Sequence, residues 1–201
     1  TPVPLQGVSA RGRLNGLLFA LSVEQTYRNT GGRNIEAVYT FPVPHHAVLL
    51  GLDLEIGERK LSGVAVRRQA ASERYEEAMD QGNTAALLEQ AGDGLYTLSL
   101  GNLLAGEQAV IRYRYAELLD RHEDHIRLCV PTVIAPRYGD AEAGGLKPHQ
   151  VPGVELLAAY PFSLEIQVLG DQARAAFSSP SHPVQMSAMD GGMRVTLAKG
   201  A

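Results

Sequence analysis

The chain has 201 residues, of which 45% are hydrophobic and 20% charged, with a formal net charge of −4 and a pI near 5.9. That length buries a sizeable core, and the balance is that of a folded globular protein rather than a disordered one. The mild acidity excludes a basic footprint for nucleic acid, and no apolar run is long enough for a membrane span. Basic residues do gather at Arg59, Lys60, Arg67, Arg68 and Arg74, but Glu55, Glu58, Glu73, Glu76 and Glu77 lie among them. That mixture reads as a solvated face. The single cysteine, Cys129, excludes an intrachain disulfide, and its apolar setting in IRLCVP reads as a small buried hydrophobe. The opening TPVPLQG, with no Met or signal-like region, and the strand-like close GMRVTLAKGA read as a piece of a longer protein.

Taken in chain order, the dominant signal is a period of two, the mark of half-buried strands. Leu17, Phe19, Leu21 and Val23 alternate with Leu18, Ala20, Ser22 and Glu24, and Gly31–Gly32 reads as a hairpin turn. Ile35, Ala37, Tyr39, Phe41 and Val43 form the next face. Pro42 and Pro44 have no N–H to donate, so an edge or a bend is expected there. Val48, Leu50, Leu52, Leu54 and Ile56 predict a further apolar face, closed by a turn at Gly57–Glu58. The period then changes. Tyr75, Ala78 and Met79 share one side of a predicted helix over 72–81, capped by Ser72, with Glu73, Glu76 and Glu77 in its early turns and Gly82 at the left-handed stop. A second short helical turn is expected over 85–90, which includes Leu87 and Leu88.

Strands resume with Tyr96, Leu98 and Leu100, then Ala109, Ile111, Tyr113 and Tyr115, then Ile126, Leu128 and Val130. The Gly- and Pro-rich run at 139–153 reads as a long loop. Tyr160, Phe162, Leu164, Ile166 and Val168 make another alternating strand, and two weaker strands are expected near Val184 and Val195. Many short strands with one helical insert predict a mainly β chain, an antiparallel β-sandwich with a short helical insert around 72–90.

Two stretches suggest chemistry. In LYTLSLGNLLAGE at 95–107, Ser99 is followed by Gly101, half of a nucleophile elbow. The elbow needs glycine on both sides of the serine at a strand-to-helix turn, whereas Thr97 stands before Ser99 and no helix pattern follows. A turn at Gly101 and Asn102, with a reversal at Gly106, fits these residues better. HEDH at 122–125 is one residue short of the helical zinc motif and falls between strand patterns, which reads as a solvated turn. His45 and His46 follow a proline bend, and their joining a metal site in space stays open. There is no P-loop, no Gly-rich dinucleotide fingerprint and no paired-cysteine zinc pattern.

Read together, the segments resemble the VIT domain, named for vault protein and the inter-alpha-trypsin inhibitor heavy chains. The resemblance rests on YTFPVP at 39–44, DLEIGERKLSG at 53–63, ASERYEEAMDQG at 71–82 and AALLEQ at 85–90. It continues through LGNLLAGE at 100–107, VIRYRY at 110–115 and PTVIAPRYGD at 131–140. It implies a VIT domain over 1–140, a Gly/Pro-rich loop over 141–155, and strands over 156–201 that complete the sandwich or begin a small second β unit. It also implies a β-rich domain without catalytic residues, cofactor or metal, followed in its parent by a von Willebrand A domain and, in a bacterium, exported or attached to the surface. No D-x-S-x-S metal motif is present, so no metal site carries over.

The motif residues Tyr75, Gly82, Leu87, Leu88, Gly101, Asn102, Gly106, Glu107, Arg137 and Tyr138 read as structural. Arg137 is expected to anchor on carbonyls or on a carboxylate such as Glu107, Tyr138 to pack its ring, and Tyr75 with Leu87 and Leu88 to pin the helical insert to the sheet. The leading expectation is a non-enzymatic interaction or scaffold domain. Its partner is its own von Willebrand A-type domain or an external protein, without nucleic acid or membrane insertion. A carbohydrate- or small-ligand-binding sandwich with tyrosines as stacking platforms is the alternative, weakened by the absence of Trp, and a hydrolase using Ser99 or the histidines is the third reading.

Overall fold

The computed structural model describes residues 5–63, 68–83, 85–92, 94–131 and 160–198. Strands β1 (Leu5–Asn15) and β2 (Leu18–Arg28) form a hairpin across Gly16 and Leu17, with Gly16 at φ +60°. A glycine with positive φ at the first of two loop residues twists the turn to match the strands. Next come β3 (Ile35–Pro42), β4 (Val48–Ile56) and β5 (Arg59–Ser62), then helix α1 (Arg68–Asp80). The chain continues with β6 (Ala85–Gly92), β7 (Leu95–Leu103), β8 (Gln108–Leu118) and a small hairpin of β9 (Arg121–His122) and β10 (His125–Ile126). Strand β11 (Phe162–Leu169), a 3-10 turn over Gly170–Arg174, β12 (Val184–Met189) and β13 (Gly192–Leu197) follow.

The protein is mainly β, as the alternation predicts. An eight-stranded sheet has the order β12-β13-β11-β1-β2-β8-β4-β5, and a three-stranded sheet the order β3-β7-β6. The large sheet is mixed rather than wholly antiparallel, because β11 pairs parallel to β1 from Val8↔Phe162 to Asn15↔Leu169. The Gly31–Gly32 segment is not a hairpin turn: β2 lies in the large sheet and β3 in the small one, so this loop carries the chain between sheets.

One core joins the two sheets. Phe19, Leu21, Val23, Leu54, Ile56, Ile111 and Tyr115 of the large sheet are buried together with Phe41, Leu98, Leu100 and Leu103 of the small one. Phe41, fully buried, stacks on Tyr113 at a centroid distance of 4.2 Å, and on its own sheet it neighbours Tyr39 at 5.5 Å and Tyr96 at 5.8 Å. Offset stacks of this kind add to the burial of the rings themselves.

Two bulges reset the alternation. On β4 the register moves two residues, Leu49 to Gly51, against one on β8, Tyr115 to Arg114. Leu49 therefore packs against the core, while Val48 and Leu50, expected inside, are 63% and 58% exposed. On β7, Leu103 opposes Ile35 and Leu100 opposes Ala37, so Gly101–Asn102 carries the extra residue. With Asn102 at φ +56°, Leu100 and Leu103 both reach the core.

Three other expectations differ. Residues 85–92 form β6, not a helical turn, because pairing with β7 on one edge overrides local helix propensity. Helix α1 starts at Arg68 rather than near Ser72, since Arg, Gln and Ala are themselves good helix formers; its first turn holds no acidic residue. Cys129 is exposed, because Ile126, Leu128 and Val130 turn inward against the core and the residue between the last two turns outward.

Gly12 faces Phe19 across the hairpin, and a Cβ there would lie 2.7 Å from the buried ring. Gly12→Ala is expected to lower stability by about 1–3 kcal/mol through overpacking, read from urea unfolding midpoints.

Candidate functional site

The sequence motifs converge on two structural clusters. The first docks α1 on the small sheet. Tyr75 donates its hydroxyl to Glu36 Oε1 on β3 at 2.8 Å, and a Cβ on Gly101 of β7 would collide with the Met79 thioether of α1. Gly82, at φ +73°, ends the helix: its N–H donates to Met79 O and that of Asn83 to Ala78 O, both at 2.9 Å. These are the two bonds of a Schellman cap. Asn102 Nδ2 then donates to Asn83 O at 3.0 Å, tying the helix exit to the β7 bulge. Leu87 and Leu88 lie on β6, not on a helix; Leu88 packs against the core.

The second cluster holds the crossover between sheets, and its centre, Asn29, is a residue the sequence reading did not single out. Asn29 is 2% exposed. Its Nδ2 donates to Arg33 O, Leu103 O and Leu104 O at 2.9, 3.2 and 3.0 Å, and its Oδ1 accepts from Gly31 N at 3.0 Å. Its backbone N–H donates to Glu107 O, and its carbonyl accepts from Gly106 N, both at 2.9 Å. Gly106 sits at φ +78°, the left-handed position that glycine takes without strain. Glu107 closes the same turn: Oε2 accepts from Leu104 N at 2.9 Å and Oε1 from Arg59 Nη2 at 2.6 Å. The asparagine two residues before Gly31 is the sequence signal for this side-chain-to-backbone turn. Arg137 and Tyr138, the first of them the expected anchor, lie outside the described residues.

Neither chemical candidate assembles a reactive centre among the described residues. Ser99 is half-buried in the middle of β7, paired to Val38 and Leu87 on its two sides, with no strand-to-helix turn beside it. His122 and His125 do come together, because β9 and β10 place them directly opposite, with ring centroids 5.9 Å apart. The exposed turn over Glu123 and Asp124 between them is the solvated turn expected of HEDH. Both are exposed. The Asp124 carboxyl, hydrogen-bonded to His125 at 3.2 Å, is held below its ordinary value by that contact. His45 and His46 pack edge to face at 4.7 Å. Among the described residues no group of three or more His, Cys, Asp or Glu side chains is placed to hold a metal ion.

Tyr27, Tyr113 and Tyr115 are buried, and burial raises the ionisation of each hydroxyl well above the usual range. Tyr39, Tyr75, Tyr96 and Tyr160 are half-buried. Beside Tyr115 on the inward face of β8, Glu117 has one buried oxygen with no hydrogen-bond partner. Burial raises its pKa, and nearby His46 offsets part of the rise.

The vault protein inter-alpha-trypsin (VIT) domain model matches residues 5–115, β1 through most of β8. The chain belongs to the VIT domain family. A mouse relative, "Protein mono-ADP-ribosyltransferase PARP4", is 27% identical over all of this chain and 10% of its own length. The rat "von Willebrand factor A domain-containing protein 5A" is 28% identical over 82% of this chain and 20% of its own length. The chain thus spans only a tenth to a fifth of these relatives. Among solved structures, a putative nutrient binding protein from Legionella pneumophila is similar with a TM-score of 0.47 and 9% identity, covering 98% of this chain and 62% of that one. An M1 zinc metallopeptidase from Deinococcus radiodurans gives 0.41 and 11%, covering 98% and 38%. Likenesses of that order carry no conclusion on activity.

For the VIT crossover, Asn29→Ala removes the side-chain partner of the Arg33 and Leu103 carbonyls and of Gly31 N–H, and leaves Leu104 O with Glu107 N–H alone. It is expected to cost about 3 kcal/mol or more in urea unfolding. Asn29→Asp should also destabilise, because a carboxylate has no hydrogen to donate to those carbonyls.

The Glu117 pKa is raised in the folded state, so folding takes up protons between the ordinary carboxylate value and the raised one. Stability therefore falls as pH rises through that window. Glu117→Gln is expected to raise the Tm at neutral pH, with the gain vanishing as pH drops below the ordinary carboxylate range.

Proposed function

We propose that this VIT domain is a non-catalytic protein–protein interaction domain that supports an adjacent von Willebrand A-type domain in a larger protein. The observation that carries the reading is family membership together with relatives that are themselves von Willebrand A domain-containing proteins. The use of the motif residues supports it: Tyr75, Gly82, Gly101, Asn102, Gly106 and Glu107 are engaged in helix docking and sheet crossover rather than around a cleft. Fold alone does not give function, and an enzyme stands among the relatives, so the non-catalytic reading calls for a direct test.

The test is a calorimetric titration of this chain against the separately expressed remainder of its parent. Binding with a Kd of about micromolar order or tighter is expected for a domain that works inside its own chain. Absence of binding would turn the search to an outside partner. Turnover of ester or peptide substrates that is lost in Ser99→Ala would overturn the non-catalytic reading.

A further inference from the structure

We propose that the outer face of the large sheet carries a docking site for an amphipathic helix with acidic flanks, contributed by a protein partner. The site lies at the corner where the start of β2, the end of β8 and the start of β4 meet. This deepens the interaction reading above and rests on it.

Four of the nine large hydrophobic side chains exposed among the described residues collect there: Leu18 at 54%, Leu118 at 71%, Val48 at 63% and Leu50 at 58%. The register makes them neighbours. Leu18 stands opposite Leu118, and in the next row Ala20 stands opposite Ala116, which stands opposite Val48. Leu50 is turned outward beside them by the β4 bulge. An isolated exposed leucine needs no explanation, but a contiguous apolar patch on one face marks an interaction surface.

Its border is basic. Arg13 is opposite Ala20, Arg11 opposite Ser22, and Arg114 opposite both Ser22 and Gly51. Arg114 lies flat over Gly51, where a Cβ would meet its guanidinium at 2.9 Å. All three arginines are exposed, and among the described residues none has an ion-pair partner. The carboxylates of the same face are engaged elsewhere: Glu24 and Glu55 hold Arg112 at 2.6 and 2.9 Å, and Glu165, beside Arg11 in register, pairs with Arg194 at 3.5 Å. The two rows that carry the patch contain no carboxylate, and the row of Arg11 and Arg114 holds Glu165 alone, which pairs with Arg194. The missing complement is an anionic partner.

Dimensions select the occupant. Three adjacent strands span about 10 Å, and three rows of outward residues run about 14 Å along them. One α-helix is about 10–12 Å wide, and two and a half turns cover roughly that length. A second copy of the chain would bring arginines against arginines across a two-fold axis.

The probe is a synthetic helical peptide with leucines at i, i+3, i+4 and i+7 and glutamates elsewhere, titrated beside its lysine counterpart into wild type, Leu118→Ser and Arg114→Ala. All three proteins are first shown to melt at the same temperature. The glutamate peptide should bind wild type and lose about tenfold in affinity in either variant, and the lysine peptide should bind at least about tenfold more weakly. No binding, equal binding of the two peptides, or unchanged binding in the variants would overturn the proposal. Leu118-dependent binding to phosphatidylcholine–phosphatidylglycerol vesicles in place of the peptide would overturn it in favour of lipid. Leu118-dependent self-association in sedimentation would overturn it in favour of a second copy. Undiminished binding of the parent's remainder by Leu118→Ser would exclude this corner while leaving the interaction reading intact; failure of the wild type to bind either the peptide or the remainder would overturn this site and the adjacent-domain reading together.

Discussion

Asn29 is the residue through which the two sheets are joined. The chain crosses from the large sheet to the small one after β2 and from the small one to the large one again after β7, and these two crossings pass this one buried amide. A buried asparagine brings four hydrogen-bonding positions to backbone that no sheet ladder can satisfy. Here they serve the outgoing loop through Gly31 and Arg33 and the returning turn through Leu103 and Leu104. Its own backbone pairs with Gly106 and Glu107 on the other arm. An apolar residue of the same size would fill the space and take away the side-chain partner of the Arg33 and Leu103 carbonyls, so the junction is set by polarity rather than volume.

With the crossing fixed, the distance between sheets is set by ring thickness and side-chain reach. Phe41 stacks on Tyr113 across the gap, and Leu98, Leu100 and Leu103 fill the space around them. The β7 bulge belongs to the same constraint. Without the extra residue at Gly101–Asn102, a strict alternation would bring Leu100 to the core and point Leu103 away from it. Leu103 is also where Asn29 takes hold. The bulge thus puts a core side chain and a clamped carbonyl on one residue, and Gly101 leaves the outer side open for Met79 of α1.

Much of this was legible in the sequence where one face of a strand is polar. Phe19, Leu21 and Val23, and Ala109, Ile111, Tyr113 and Tyr115, lie inside as the alternation requires. Gly57 and Gly82 stand at turn and helix stop with positive φ. The misreadings share a cause: a long-range pairing that local pattern does not encode. Residues 85–90 are good helix formers and become a strand only because β7 offers an edge. Gly31–Gly32 looks like a hairpin because a turn signal does not state which sheet the next strand joins. The parallel β1–β11 pair unites residues more than 150 positions apart, and nothing near either strand announces it. The apolar Val48 and Leu50 are separated from the core by one inserted residue opposite β8, a feature of pairing and not of composition.

That last displacement separates motif from surface in this fold. The residues that carry the family resemblance are recognisable because they serve architecture: caps, bulges, positive-φ turns and a buried amide tolerate few substitutes, and so they make a pattern. A docking face has no such backbone demand and leaves a weaker trace. Here the trace is the loss of alternation, in LLFAL at 17–21, in VLLGL at 48–52 and in AELL at 116–119, where apolar residues occupy both faces of strands that need only one. Read alone, each run passes for a more deeply buried strand. The sheet order settles the matter, because β2, β8 and β4 are neighbours and their second apolar faces coincide at one corner. Double-sided apolar character on three adjacent strands costs solubility and adds nothing to the core, and its concentration in one place, bordered by unpaired arginines, is the feature on which the proposed docking site rests.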